Sequence, residues 1–357
     1  MPDVEIESRK LAGLEGIDLA AAVTLPRMVS ADSHVVEPDD LWSEMPDRLK
    51  AELPKAKFGG AAPAGGGDPN ARLLDQAEDG IEAEILFPNN GSILFGLDHV
   101  ETQQVGFRIY NEWLADFCKT APKNLFGVPC LSVYDIDHAV KELQRGYDLG
   151  LVGAMIWQVP HPDLSFTSDH YERLWAAAAE LGAPINCHIL TGHSYAKDFD
   201  RFTKAPPVEM IRDSVNTKQH DATTTLFDFI FSGIFDRHPK LKLVLAESEV
   251  GWVPFLLQQW DYYFERFRRK GPMPITRRPS EIFADHVYCT FLEDFVGTRA
   301  FSFWGERNCM WSNDYPHYNM TFPHSRANVE KHLAGAPPEK RLRLTRDNAV
   351  ELYSLGI

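Results

Sequence analysis

From residue 72 onward, short apolar runs alternate with longer segments of helical spacing. That alternation limits the fold of this chain more than any other feature. Ala83–Phe87, Phe126–Val133, Gly153–Trp157, Pro184–His188, Leu241–Glu247, Val287–Phe291 and Cys309–Ser312 read as strands, and Met28–Val36 as an earlier one. Between and after them, residues 72–80, 102–120, 135–149, 168–181, 221–235, 252–269, 294–304, 324–335 and 338–355 read as helices. The 102–120 segment, for example, carries Val105, Ile109, Trp113, Leu114 and Phe117 at helical spacing. Strands that alternate with helices pair in parallel through crossover connections. Roughly eight such units predict an α/β fold, a (β/α)8 TIM barrel. An open doubly wound sheet competes, but it normally carries a Gly-rich turn after its first strand. Here His34-Val-Val-Glu-Pro38 stands in that place. Residues 1–27 read as an N-terminal arm, and 28–357 as a single barrel domain with an insertion, 38–70, after the first strand. The glycine-rich run Gly59–Gly67 within it reads as a lid or as slack.

Composition removes several function classes. Of 357 residues, 44% are hydrophobic, enough for a sizeable core. Lys plus Arg number 36 against 51 Asp plus Glu, a net charge of −15, which speaks against a nucleic-acid partner. No uncharged apolar run of about 18 residues exists, so no membrane span is expected. The acidic start Met-Pro-Asp-Val-Glu-Ile-Glu lacks the pattern of a signal peptide. Five cysteines, at 118, 130, 187, 289 and 309, form no CxxC pair. Neither a disulfide framework nor a thiolate zinc site is indicated, and a cytoplasmic location is expected.

A barrel of this kind places its chemistry at the C-terminal ends of its strands. Asp32 and His34 end the first predicted strand, with Glu37 close behind. His188 ends the fifth, Glu247 the sixth with Glu249 just beyond, and Asp314 the eighth, followed by Tyr315, Pro316 and His317. Residues i and i+2 of a strand share a face, so Asp32 and His34 point inward together. With His188 and Asp314 they make two imidazoles and two carboxylates at the barrel mouth. That donor set suits Zn2+, or Mn2+ and Fe2+ where the site is more open. Plainer readings stand beside it. Asp-x-His pairs are common, a His after an apolar strand is often a satisfied core residue, and Asp314 can cap a turn.

At these residues the chain resembles the amidohydrolase-related family typified by 2-amino-3-carboxymuconate semialdehyde decarboxylase. The resemblance rests on Ala31–Pro38, Asn111–Ala115, Pro184–His188, Gly233–Lys242, Glu247–Pro254, Ser312–His317 and Asp347–Tyr353, in family order. It implies a barrel with one catalytic divalent metal, Zn first and Mn or Fe as alternatives, held by Asp32, His34, His188 and Asp314. Two departures stand out. Asp32 occupies a place where many members have His or Glu. Glu247 occupies the end of strand six, where many family decarboxylases have a catalytic His.

The expected mechanism is activation of water, with Asp314 moving the proton and Glu247 assisting. Hydrolysis of a small cyclic or aromatic acid derivative is the first reading. Non-oxidative decarboxylation of an aromatic or unsaturated acid is the second, and an inactive barrel scaffold the third. Trp157 and Tyr315, at predicted strand ends, are expected to line the substrate pocket. Arg212 or Arg201 is the candidate cation for a substrate acid. Glu37 is expected to fix a loop or orient a ligand. Pro316 should turn the chain away after the strand, leaving His317 off the metal but in contact with substrate or with a ligand. The aromatic helix 252–268 offers apolar surface on more than one face, and with the family habit it suggests a homodimer acting on a small molecule.

Overall fold

A computed structural model of the chain describes residues 27–53, 62–193, 195, 205–301 and 305–357. The arm 1–26, the first part of the glycine-rich run and Arg201 lie outside the described residues. Among those residues eight strands form, all paired in parallel: β1 Met28–Val35, β2 Ile81–Pro88, β3 Leu125–Gly127, β4 Ala154–Ile156, β5 Ile185–His188, β6 Leu243–Ala246, β7 Val287–Phe291 and β8 Cys309–Trp311. They run as two ladders, β1-β2-β3 and β4 through β8 in sequence order. Backbone hydrogen bonds cross both seams. Leu131 N–H donates to Met155 O (2.9 Å) and Met155 N–H to Pro129 O (2.8 Å) at one; Asp314 N–H donates to Asp32 O (3.1 Å) and His34 N–H to Tyr315 O (2.6 Å) at the other. The fold is that of a (β/α)8 barrel, with helices between the strands as the alternation predicts.

The strands are buried on both faces, as a parallel sheet covered by helices requires. Three local differences from the sequence reading have physical causes. Only Leu125–Gly127 of the third strand joins a ladder, and the chain beyond it stays buried to bridge the seam to β4. A helix at Pro279–His286 arises in a Pro- and Arg-rich stretch to which the sequence pattern assigns no element; Pro279 suits a first helical turn, and Arg278 N–H is capped by Glu281 (3.0 Å). The helix after the insertion begins at Pro69, where Asp68 accepts from Asn70 N–H at 2.8 Å.

The end of the glycine-rich run is packed. Val36 N–H donates to Gly66 O (2.7 Å), and a Cβ on Gly65 would stand 2.5 Å from both Asp75 Oδ2 and the Tyr315 hydroxyl. Only glycine permits that approach. Where it is described, the run is a wedge under the strand ends. No helix is long and apolar enough to cross a membrane among the described residues, and all five cysteines are buried and free.

Candidate metal centre

β1 carries a register irregularity between Ser30 and Ser33, and its side chains form two groups. Ser30 and Ser33 bond to Asn313 Oδ1 (2.9 and 2.8 Å), and Glu84 Oε1 stands 3.1 Å from the Ser33 hydroxyl. Asp32 and His34 converge instead with His188 and Asp314. His34 Nε2 lies 3.5 Å from both Asp32 Oδ1 and Asp314 Oδ1, and His188 Nε2 lies 3.4 Å from Asp32 Oδ1.

Asp32, His34 and His188 bring ligand atoms close enough together to share one ion, and His34 joins a second such group with Glu247, Asp314 and His317. Asp32 Oδ1, His34 Nε2, His188 Nε2 and Asp314 Oδ2 have no hydrogen-bond partner. Leaving such atoms unsatisfied costs about 1–3 kcal/mol each, which a cation removes. The spacing matches the edge of a coordination shell with ligand distances of about 2.1 Å. The other atoms of the same groups are tied back. His34 Nδ1 pairs with Pro88 O (2.9 Å) and His188 Nδ1 with Ile189 O (3.0 Å), so each Nδ1–H donates and each Nε2 lone pair faces inward. Asp32 Oδ2 accepts from Thr290 Oγ1 (3.0 Å), whose oxygen accepts from Glu247 N–H (2.7 Å). The donor set fits one divalent ion.

The electrostatics agree. Burial pulls the His34 imidazole well below its ordinary value. Burial pulls His188 the same way, but the Asp32 and Glu247 carboxylates outweigh it and hold that ring up at about 9. Burial, then the Glu247 charge, raises Asp314 to about 6. Glu247 runs opposite: burial would raise it, yet Lys218, His188 and His317 together hold it below the usual carboxylate range. Lys218 Nζ donates to Glu247 Oε1 at 3.0 Å.

Backbone strain concentrates here. Leu190, Glu247, Glu249 and Asp314 have φ of 59°, 54°, 53° and 51°. Non-glycine residues avoid that region and keep it where the surroundings impose it, commonly at functional sites.

Glu37 takes one of its two expected roles, and several other expected positions move. Glu37 accepts from the N–H groups of Asn89 (3.1 Å), Asn90 (2.8 Å) and Gly91 (2.8 Å), so its carboxylate holds the loop after β2. His317 is not carried away from Asp314. Its N–H donates to Asp314 O (2.9 Å), closing a turn that returns the ring: Nδ1 stands 2.8 Å from Asp314 Oδ1 and Nε2 3.3 Å from Asn89 Oδ1. Tyr315 does not face the centre. Its hydroxyl bonds Asp75, and its ring lies under the Arg72 guanidinium. Trp157 is core: it is fully buried, and its indole N–H donates to the Tyr171 hydroxyl (3.1 Å). Arg212 is 61% exposed and paired with Glu209 one turn away on its own helix. Lys218, Thr290 and the Arg72–Glu84 pair, all missed in the sequence, frame the site. A separate trio, Asp98, His161 and His193, gathers on loops after β2, β4 and β5, and Asp98 and His193 already pair there at 2.7 Å.

Residues 67–355 match the family model described as Amidohydrolase. The chain is 24% identical over 347 residues to gamma-resorcylate decarboxylase of Rhizobium sp. (strain MTP-10005), covering 91% of this chain and 94% of that one. It is 25% identical over 311 residues to the gamma-resorcylate decarboxylase of Rhodococcus jostii (strain RHA1), covering 81% and 87%. A solved 2,6-dihydroxybenzoate decarboxylase complexed with 2,6-dihydroxybenzoate shares the fold at a TM-score of 0.71 and 22% identity, over 93% of this chain and all of that one. A dihydroxybenzoic acid decarboxylase from Polaromonas sp. JS666, with bound manganese and the inhibitor 2-nitroresorcinol, gives 0.69 and 21% over 93% and 98%.

Proposed function

The chain is an enzyme of the amidohydrolase-related family, and from that premise we propose that it is a metal-dependent, non-oxidative decarboxylase of an aromatic carboxylic acid. The observation that carries the reading is the gathering about His34 of buried, unpartnered ligand atoms of Asp32, His34, His188 and Asp314. The relatives decarboxylate aromatic acids, which reverses the order reached from sequence, where hydrolysis stood first. A metal-free scaffold would carry the cost of those four unsatisfied atoms for no return.

Asp32, His34, His188 and Asp314 are the proposed ligands. The bound manganese of the Polaromonas relative supports Mn2+ rather than the Zn2+ expected from sequence. When bound, such an ion would supply a Lewis acid that stabilises negative charge on the oxygens of the substrate. Asp314 delivers its proton to the ring carbon that bears the carboxylate. A C–H bond forms there, the C–C bond to the carboxylate breaks, and its electron pair restores the aromatic ring as CO2 leaves. His317 orients the Asp314 carboxyl and returns a proton to it from the mouth.

The test is CO2 release from a panel of ortho-hydroxybenzoates by Mn-loaded protein. At least one acid should turn over, and Asp314→Asn should abolish the activity while circular dichroism stays native. Hydrolysis of an amide or lactone, with no CO2 from any acid in the panel, would overturn the proposal.

Assembly follows as a smaller proposal. Phe255, Tyr262, Tyr263 and Phe267 of the helix Val253–Phe267 stand exposed, and a second copy of the chain covering that face makes a homodimer. Light scattering that gives only the monomer mass at micromolar concentration sinks it.

A further inference from the structure

Three carboxylates, those of Asp32, Asp314 and Glu247, crowd the candidate centre. An anionic substrate has to enter against them. A divalent ion offsets part of that charge, and a further cation beside it favours entry of a carboxylate. Arg212 points into solvent, so it does not supply one.

Lys218 does. It opens the helix Lys218–Phe231, directly after a wide π-turn at Asp213–Thr217. Such turns recur where a helix must aim one side chain at a site. The Lys218 side chain is only 20% exposed, and its ammonium keeps its charge against burial because Glu247, then Asp314 and Glu249, surround it. An ammonium has three N–H donors. One goes to Glu247 Oε1, and among the described residues no acceptor takes the other two. A nearly buried ammonium with unspent donors, beside a cluster of ligand atoms, is an anion-binding group waiting for its anion.

We infer that Lys218 is the specificity-determining cation of this site: it cancels Glu247 and donates to the anionic group of the substrate, so that the pocket selects an acid over its neutral analogue. The inference rests on the decarboxylase reading only for the choice of probe.

The experiment is calorimetric binding of 2-hydroxybenzoate and of its neutral analogue 2-hydroxybenzamide to Mn-loaded protein. Wild-type protein should prefer the anion. Lys218→Met should weaken 2-hydroxybenzoate by roughly tenfold or more, which is about 1.4 kcal/mol, and leave the amide within about twofold. Metal content should not change. Lys218→Arg should restore most of the preference. The double variant Lys218→Met with Glu247→Gln, which removes the Glu247 charge together with its partner, should lie between wild type and the single variant. It keeps the test alive if the single variant fails to fold. A wild-type protein without preference for the anion, equal losses for both probes, or a double variant that binds 2-hydroxybenzoate as tightly as wild type would each overturn the inference. Preference for the anion without CO2 release would instead sink the decarboxylase reading and leave the role of Lys218 standing.

Discussion

His317 stacks on His34, ring centroids 3.8 Å apart and planes inclined by 29°, on the mouth side of the candidate centre. The same ring pairs with Asp314 Oδ1, so it braces one proposed ligand by stacking and another by hydrogen bonding. Replacing His317 by Ala removes both supports but none of the four proposed ligand atoms. Metal content by mass spectrometry should stay at the wild-type level, while kcat falls roughly 10- to 100-fold. Loss of the metal in that variant would place His317 in the ligand set.

The ion-free centre should behave as a charged cavity that lacks its cation. Purified protein should carry about one equivalent of divalent metal, and chelation should lower Tm. His188 sits at about 9 without an ion, so below that value a metal must displace its proton. Affinity should therefore rise with pH, and titration calorimetry in buffers of different ionisation enthalpy should show about one proton released per ion near neutral pH. Asp32→Ala should bind no metal under the same conditions. Proton-neutral uptake would count against His188 as a ligand.

Glu249, two residues beyond Glu247, predicts a pH dependence of stability. Burial, and then the neighbouring Asp294, push its carboxyl up to about 8. The folded chain thus keeps a proton that the unfolded chain releases at an ordinary carboxylate value. Stability falls as pH rises between those two values, by up to about 1.4 kcal/mol per pH unit. Glu249→Gln removes this loss. Its urea midpoint should be close to wild type at pH 5 and clearly above it at pH 9. A gap that does not widen with pH would show that Glu249 is ionised throughout.

Arg72 and Glu84 form a fully buried ion pair, Nε to Oε2 at 2.5 Å, and Arg72 also donates to the carbonyl of His34 (2.7 Å). Arg72→Met strands the Glu84 charge among Ser33, Gln76 and Asn313. The expected cost is roughly 3–5 kcal/mol in equilibrium unfolding, with weaker metal binding because β1 loses its anchor. Adding Glu84→Gln should recover part of that loss. A single variant within about 1 kcal/mol of wild type would mean that water replaces the guanidinium.

What the sequence determined by itself is everything that depends on local period. The two-residue repeat of β1 puts Asp32 and His34 on one face, and the strand-then-helix rhythm marks where His188, Glu247 and Asp314 end their strands. Those ends share one rim in any barrel of this kind, so five of the residues now at the centre were legible before the fold was known. Tertiary structure alone decided what lies across the barrel and which way a side chain leaves a strained residue. Lys218 is remote in sequence from Glu247 and belongs to a helix, and only closure of the strands brings the pair to 3.0 Å. The left-handed backbone at Asp314 reverses the direction that an extended strand would give its successors. It carries Tyr315 under Arg72 and brings His317 back over His34. No pattern in the sequence encodes that reversal, because the strain at Asp314 is imposed by its packing in the closed barrel and not by its own preference.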